Sequence, residues 1–167
     1  MKSFYAQRGI TMVEAMVALL VLSFGMLGVA GLYVETLQAN RTAVYRTQAV
    51  YLINDMADRI RANRRGRGAY AVAAGTPVVA GVNCVVAANC SEVQLADSDI
   101  AIWQARVAEL LPRDAGGANA TTQIQFAAGA NLNSADTYRL SVSWTEPGEP
   151  NPLTANMTMQ LIPGSAL

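Results

Sequence analysis

The chain has 167 residues, 52% of them hydrophobic, with 12 basic and 12 acidic side chains and no histidine. Zero net charge removes any global electrostatic pull toward nucleic acid, and none is expected as a partner. Without histidine there is no Ser-His-Asp or Cys-His arrangement and no histidine-ligated metal site, so no enzymatic activity, cofactor or metal is expected.

Lys2 and Arg8 flank a short polar leader that ends at Gly9. From Ile10 to Val34 the only charge is Glu14. A helix over 10–34 spans roughly 37 Å, more than the ~30 Å hydrocarbon thickness of a bilayer. A secretory signal peptide has a shorter apolar region and ends at a small-residue cleavage site, and no such site follows Tyr33. A plain signal anchor accounts for the hydropathy but not for Gly9, for Glu14, or for Gly25, Gly28 and Gly31. A carboxylate in a bilayer costs about 2.5–3.5 kcal/mol at a helix centre and less near an end. Glu14 therefore needs a cation, and a free amine at Ile10, made by cutting after Gly9, is the nearest candidate. Glycine costs about 1 kcal/mol in a helix interior, which makes Ser23 to Gly31 the softest part of the segment.

Gln7-Arg8-Gly9-Ile10-Thr11-Met12-Val13-Glu14, followed by Ala15-Met16-Val17-Ala18-Leu19-Leu20, resembles the class III signal of type IV pilins and pseudopilins. That family has a basic leader ending in glycine, a bulky apolar first mature residue, Thr next, and Glu at the fifth mature position. Phenylalanine is commonest after the cut; Ile10 departs from it while keeping bulk and apolarity. The resemblance implies cleavage between Gly9 and Ile10 by a prepilin peptidase and N-methylation of Ile10. It also implies subunit assembly through Glu14 and Thr11, with Glu14 meeting the terminal amine of a neighbouring subunit. Arg41 and Arg46 follow the apolar run, so the positive-inside rule barely discriminates orientation. The resemblance and the cysteines argue for a cytoplasmic leader and a periplasmic body.

The helical pattern continues. Leu37, Val44 and Tyr51 recur in steps of seven, and Leu52, Met56 and Ile60 in steps of four, with no proline from Ile10 to Arg65. The expected organisation is a leader over 1–9, a transmembrane and assembly helix over 10–34, its continuation as the spine of a head over 35–65, and a globular periplasmic head over 66–167. Arg59, Arg61, Arg64, Arg65 and Arg67 crowd the end of that helix. They read as C-terminal dipole complements and surface charge, with Gly66 or Gly68 ending the helix in a left-handed conformation.

Residues 69–94 are rich in Ala, Val and Gly, and Pro77 and Gly81 signal loop or hairpin structure. In an exported protein Cys84 and Cys90 read as a disulfide, with two free thiols as the alternative; two thiolates alone do not close a tetrahedral metal site. A second helix is expected from Asp99 to Leu111, capped by Ser98 or Asp97 and stopped by Pro112. Ile100, Trp103, Val107, Leu110 and Leu111 form its apolar face, with Trp103 as anchor. Thr122 to Ala127 predicts a strand. Tyr138, Leu140, Val142 and Trp144 alternate with Arg139, Ser141, Ser143 and Thr145 in a second. Glu146 to Pro152 is a proline-rich connection, and Met157, Met159 and Leu161 lie on a returning strand. The fold class is α+β: a long N-terminal helix, its lower half membrane-spanning, packed on a small antiparallel sheet with one further short helix.

The glycine-punctuated run from Val17 to Leu32, the Trp103 to Pro112 helix ending in Leu-Pro, and Val142-Ser143-Trp144 resemble, in order, the PilV-type minor pilins. These are also called type IV pilus modification proteins. The resemblance implies a minor pilin that primes pilus assembly or enters the fibre or tip complex, supporting biogenesis, adhesion or twitching motility. Its implied partners are the prepilin peptidase, other minor pilins, the major pilin, the inner-membrane assembly platform and membrane lipid. Its implied location is the bacterial inner membrane, single-pass, then the fibre at the cell surface. Two competing readings are a minor pseudopilin of a type II secretion system and a single-span periplasmic binding module.

Overall fold

The structure, a computed structural model, describes residues 9–87, 89–131, 134–146, 149 and 151–162. Leader residues 1–8, including Lys2 and Arg8, and Pro147, Gly148 and Pro150 of the proline-rich connection lie outside the described residues. The elements are α1 (Met12–Ala62), a 3-10 turn (Arg64–Tyr70), α2 (Glu92–Leu110), β1 (Thr121–Ala127), β2 (Asp136–Trp144) and β3 (Leu153–Leu161). The arrangement is α+β, as expected. The chain divides into two compact units, Met1–Arg41 and Thr42–Leu167, and α1 contributes to both.

In the first unit α1 is long and apolar enough to cross a bilayer, and none of its most apolar stretch is buried. Side chains from Ile10 to Val34 all stand in solvent. Such a helix has no core of its own, and an all-round apolar surface is stable only in lipid or against other chains.

The second unit has a conventional core. β1, β2 and β3 form an antiparallel meander in that order, with Ile124 opposite Leu140 and Leu140 opposite Met157. On the central strand Asp136, Tyr138, Leu140, Val142 and Trp144 are all buried, the two-residue period read from sequence. Ala49, Leu52, Ile53, Met56, Ala57 and Ile60 of α1 join them, as do Ala96, Ile100, Trp103 and Val107 of α2. Trp103 is fully buried, and its indole N–H donates to the Leu52 carbonyl at 2.9 Å, tying α2 to α1. The row Leu37, Val44, Tyr51 does not join the core: these side chains are 50%, 53% and 62% exposed.

α2 starts seven residues before the expected Asp99. Ser91 caps it through a reciprocal capping box: its hydroxyl accepts from the Gln94 N–H, and the Gln94 side chain accepts from the Ser91 N–H. Ser98 and Asp97 are therefore interior residues rather than caps. Ser98 Oγ accepts from the Cys84 N–H at 3.2 Å. Asp99 is buried and binds Arg59 and Tyr70. The helix stops where expected, since Leu111 is extended before Pro112. Leu110 of the predicted apolar face is 37% exposed instead of buried.

The end of α1 also departs from expectation. Neither Gly66 nor Gly68 is left-handed; Arg67 is, at φ 36°. Glycine at 66 has a packing reason, because a Cβ there would lie 2.8 Å from both the Asn63 amide nitrogen and the Tyr70 ring. Arg67 holds its strained conformation while its guanidinium binds both Asp136 oxygens, at 2.7 and 2.8 Å. Arg59 bonds Asp99 at 2.8 Å and Asp55 at 3.1 Å. These two arginines link elements of the head, a role beyond dipole complement and surface charge.

Candidate functional site

The amino-terminal residues singled out by sequence fall together at the start of α1. Thr11 precedes the first helical residue. Its Oγ1 accepts the Glu14 N–H at 3.2 Å, and its carbonyl accepts the Ala15 N–H at 3.1 Å. This is an N-cap with glutamate at the third helical position. Thr11 therefore fixes where the helix starts, and with it the height of Glu14. Glu14 sits in the first turn, where the helix dipole favours a carboxylate. Among the described residues it has no ion-pair partner.

Gly9 and Ile10 lie just ahead of the cap, and Ile10 is 78% exposed. A Cβ on Gly9 would meet nothing within 4 Å, and the same holds for Gly25, Gly28 and Gly31. Gly9 has no left-handed backbone either. Neither packing nor conformation within this chain calls for glycine at these four positions. Each of the three helical glycines costs helix stability, about 1 kcal/mol apiece, with no intrachain return.

Cys84 and Cys90 lie in the head, away from this segment in sequence, and are joined as a disulfide. The disulfide reading of the pair holds, and no free cysteine remains.

The charges of the head are internal fasteners that sequence reasoning did not identify. The Arg67 hydrogen bonds hold the Asp136 carboxyl below the usual carboxylate range; burial opposes them and the Gly129 N–H adds to them. Burial pushes the Tyr138 phenol up to about 12, and burial likewise raises Tyr70, whose hydroxyl donates to Asp99 at 2.8 Å. Gly129 is glycine because a Cβ there would lie 2.5 Å from the Ser134 carbonyl oxygen. The sequence signal for the Arg67–Asp136 pair was an acidic residue at a core-facing strand position, the one place where the Asp136–Trp144 alternation breaks in chemistry but not in period.

A capped helix start, a lone carboxylate in its first turn and an uncovered apolar helix fit a membrane-anchored subunit. Comparison with known families gives that class its name. The prokaryotic N-terminal methylation motif matches residues 5–30, and the model described as type IV pilin Tt1218 matches residues 31–101. Together the two matches support a member of the type IV pilin superfamily with a pilin or pseudopilin role. The methylation motif implies processing by a prepilin peptidase and assembly with other pilins. No curated protein and no solved structure matches the chain.

Proposed function

We propose that this chain is a PilV-type minor pilin with a structural, non-catalytic role. In this reading it is cut between Gly9 and Ile10, methylated on the Ile10 nitrogen, and handed by the inner-membrane assembly platform into a type IV pilus. There it primes assembly or sits in the fibre or tip, supporting adhesion or twitching motility. One observation carries the reading: among the described residues nothing calls for glycine at position 9 and nothing supplies a cation for Glu14. Gly9 touches nothing a side chain would disturb, and Glu14 has no cation among the described residues. A peptidase that requires glycine before the cut explains the first. The amine of an adjoining subunit explains the second, because a carboxylate and an ammonium that are each costly in lipid become acceptable when paired.

N-terminal sequencing and intact mass of the protein from its native membranes test the reading. The expected terminus is methylated Ile10; a terminus at Met1 would overturn it. Recovery with sheared pili is the second expected result, and confinement to a secretion apparatus would assign the chain to the pseudopilins.

A further inference from the structure

β3 is the outermost strand on its side of the sheet. Which of its backbone groups are engaged follows from the opposite edge. There Val72 and Ile124 exchange two backbone hydrogen bonds, at 2.9 and 3.0 Å, and the Gly75 N–H reaches the Thr122 carbonyl at 3.4 Å. Ile124 therefore turns its N–H and C=O away from β2, and Leu140 opposite it turns its own toward β3. Carried across the ladder, Ala155, Met157 and Met159 bond to β2, while Thr154, Asn156, Thr158 and Gln160 point their N–H and C=O groups outward. Among the described residues no backbone hydrogen bond reaches that outer row.

One edge of the sheet is thus covered by its own chain and the other is open. Proteins usually blunt a free edge with charge, proline or a bulge. β3 has none of these: Leu153 to Leu161 contains no charged residue and no proline, and its register with β2 runs one for one along the whole strand. The core is also incomplete here. Ala155 and Met157 pack against it but are only half-buried, whereas Val142 and Leu140, their partners on β2, are fully buried.

A row of alternating donors and acceptors repeating every two residues, about 7 Å, selects its occupant. An extended polypeptide presents that pattern; lipid headgroups, sugars and ions do not. The half-buried side chains add a second condition, apolar residues at every other position on the core side. A second copy's β3 meets both conditions in sequence but not in geometry. Parallel pairing through the same edge puts the two apolar faces on opposite sides of the sheet. Antiparallel pairing turns the second sheet by half a revolution about its normal. That reverses α1, whose buried residues from Ala49 to Ile60 lie along the core face. Two copies anchored in one membrane by that helix do not run it in opposite directions. We propose that β3 accepts, as a fourth strand, an extended segment of a different polypeptide with apolar side chains at alternate positions.

The test uses the full-length chain in detergent micelles and, as probe, a fluorescent peptide that alternates valine with threonine between terminal lysines. Thr158→Pro removes one outward N–H and no bond of the β2 ladder, whereas Thr158→Ala changes the side chain alone. Binding is expected for the native chain and for Thr158→Ala, and roughly tenfold weaker for Thr158→Pro, the scale of one lost backbone hydrogen bond. In residue-resolved hydrogen exchange, the Thr154, Asn156, Thr158 and Gln160 amides are expected to exchange fast in the free chain and slowly with peptide. Those of Met157 and Met159 are expected to stay slow throughout. If Thr158→Pro unfolds, a peptide N-methylated at alternate residues keeps the comparison, because it has lost the donors. Equal binding by a folded Thr158→Pro chain or by the N-methylated peptide would overturn the proposal, as would slow exchange of the four outward amides without peptide. Benzoylphenylalanine in place of Asn156, irradiated in native membranes, separates the natural occupants. The expected adduct lies in an alternating apolar stretch of another protein; adducts confined to a second copy or to lipid, or none, would overturn the proposal. Cleavage after Gly9 is independent of every one of these outcomes, so the two readings fail separately.

Discussion

The two units of the molecule satisfy their side chains in opposite ways. In the head, Trp103 gives its indole N–H to Leu52, Asp136 takes two bonds from Arg67, and Asp99 is held between Arg59 and Tyr70. The amino-terminal unit leaves its apolar side chains in the open, its glycines touching nothing and Glu14 unpaired among the described residues. A residue that its own fold explains tells of stability, and one that its own fold leaves unexplained tells of a partner. Substitutions in the two units are therefore expected to separate into losses of assembly and losses of folding.

Glu14→Ala is expected to give the largest effect. Removing one member of a buried ion pair costs 3–5 kcal/mol because the other charge is left alone, so incorporation into the fibre is expected to fall on the order of a hundredfold or more. Cleavage after Gly9 and the thermal unfolding of the head are expected to be unchanged. Quantitative immunoblots of sheared fibres against membranes measure the first, and intact mass the second. Normal incorporation would erase the contrast between the units, because Glu14 would then have no use outside its own helix turn.

Trp103→Ala is the counterpart in the head. It leaves a large cavity between α1, α2 and the sheet and is expected to cost about 3–5 kcal/mol of stability. Urea titration of the full-length protein measures it as a lower midpoint at an unchanged slope. Removing the disulfide by Cys84→Ser with Cys90→Ser comes next. A ring this small constrains the unfolded chain modestly, so the expected loss is about 2 kcal/mol. In the same double variant protease is expected to nick the chain faster between Cys84 and Cys90, because the bond that closes this segment is gone.

Legibility in the sequence follows the same division. The amino-terminal unit was almost fully readable, because hydropathy, a single charge and the Gly9–Glu14 spacing are local signals that need no tertiary context. The strands were readable too: the alternation from Tyr138 to Trp144 marks a half-buried sheet, and β2 runs from Asp136 to Trp144. The start of α2 was missed although Ser91 and Gln94 have capping-box spacing, because the Ala- and Val-rich approach to them carries no helical period. The partners of Asp99 and Asp136 were opaque for a different reason. Arg59 and Arg67 stand 40 and 69 residues away, and no local pattern says which distant cation an acidic core position will meet. Arg67 as a left-handed residue was equally invisible, since glycines on either side offered the cheaper choice.

The smallest expected effect tests the fasteners of the head by pH. Asp136 titrates below its unfolded value, so the unfolded chain takes up a proton there at a higher pH than the folded one. The stability this pair contributes is full above about pH 4 and is lost as pH falls through the folded value. Tyr138 shifts the other way. Unfolded tyrosine ionises near pH 10, whereas Tyr138 stays neutral until about 12. Its contribution is full below about pH 10 and is lost as pH rises toward about 12. Asp136→Asn is expected to flatten the acid limb and, because the Asp136 charge helps raise Tyr138, to soften the alkaline limb; Tyr138→Phe is expected to weaken the alkaline limb, to which Tyr70 also contributes, and to leave the acid limb in place, with chemical denaturation across the pH range as the measurement.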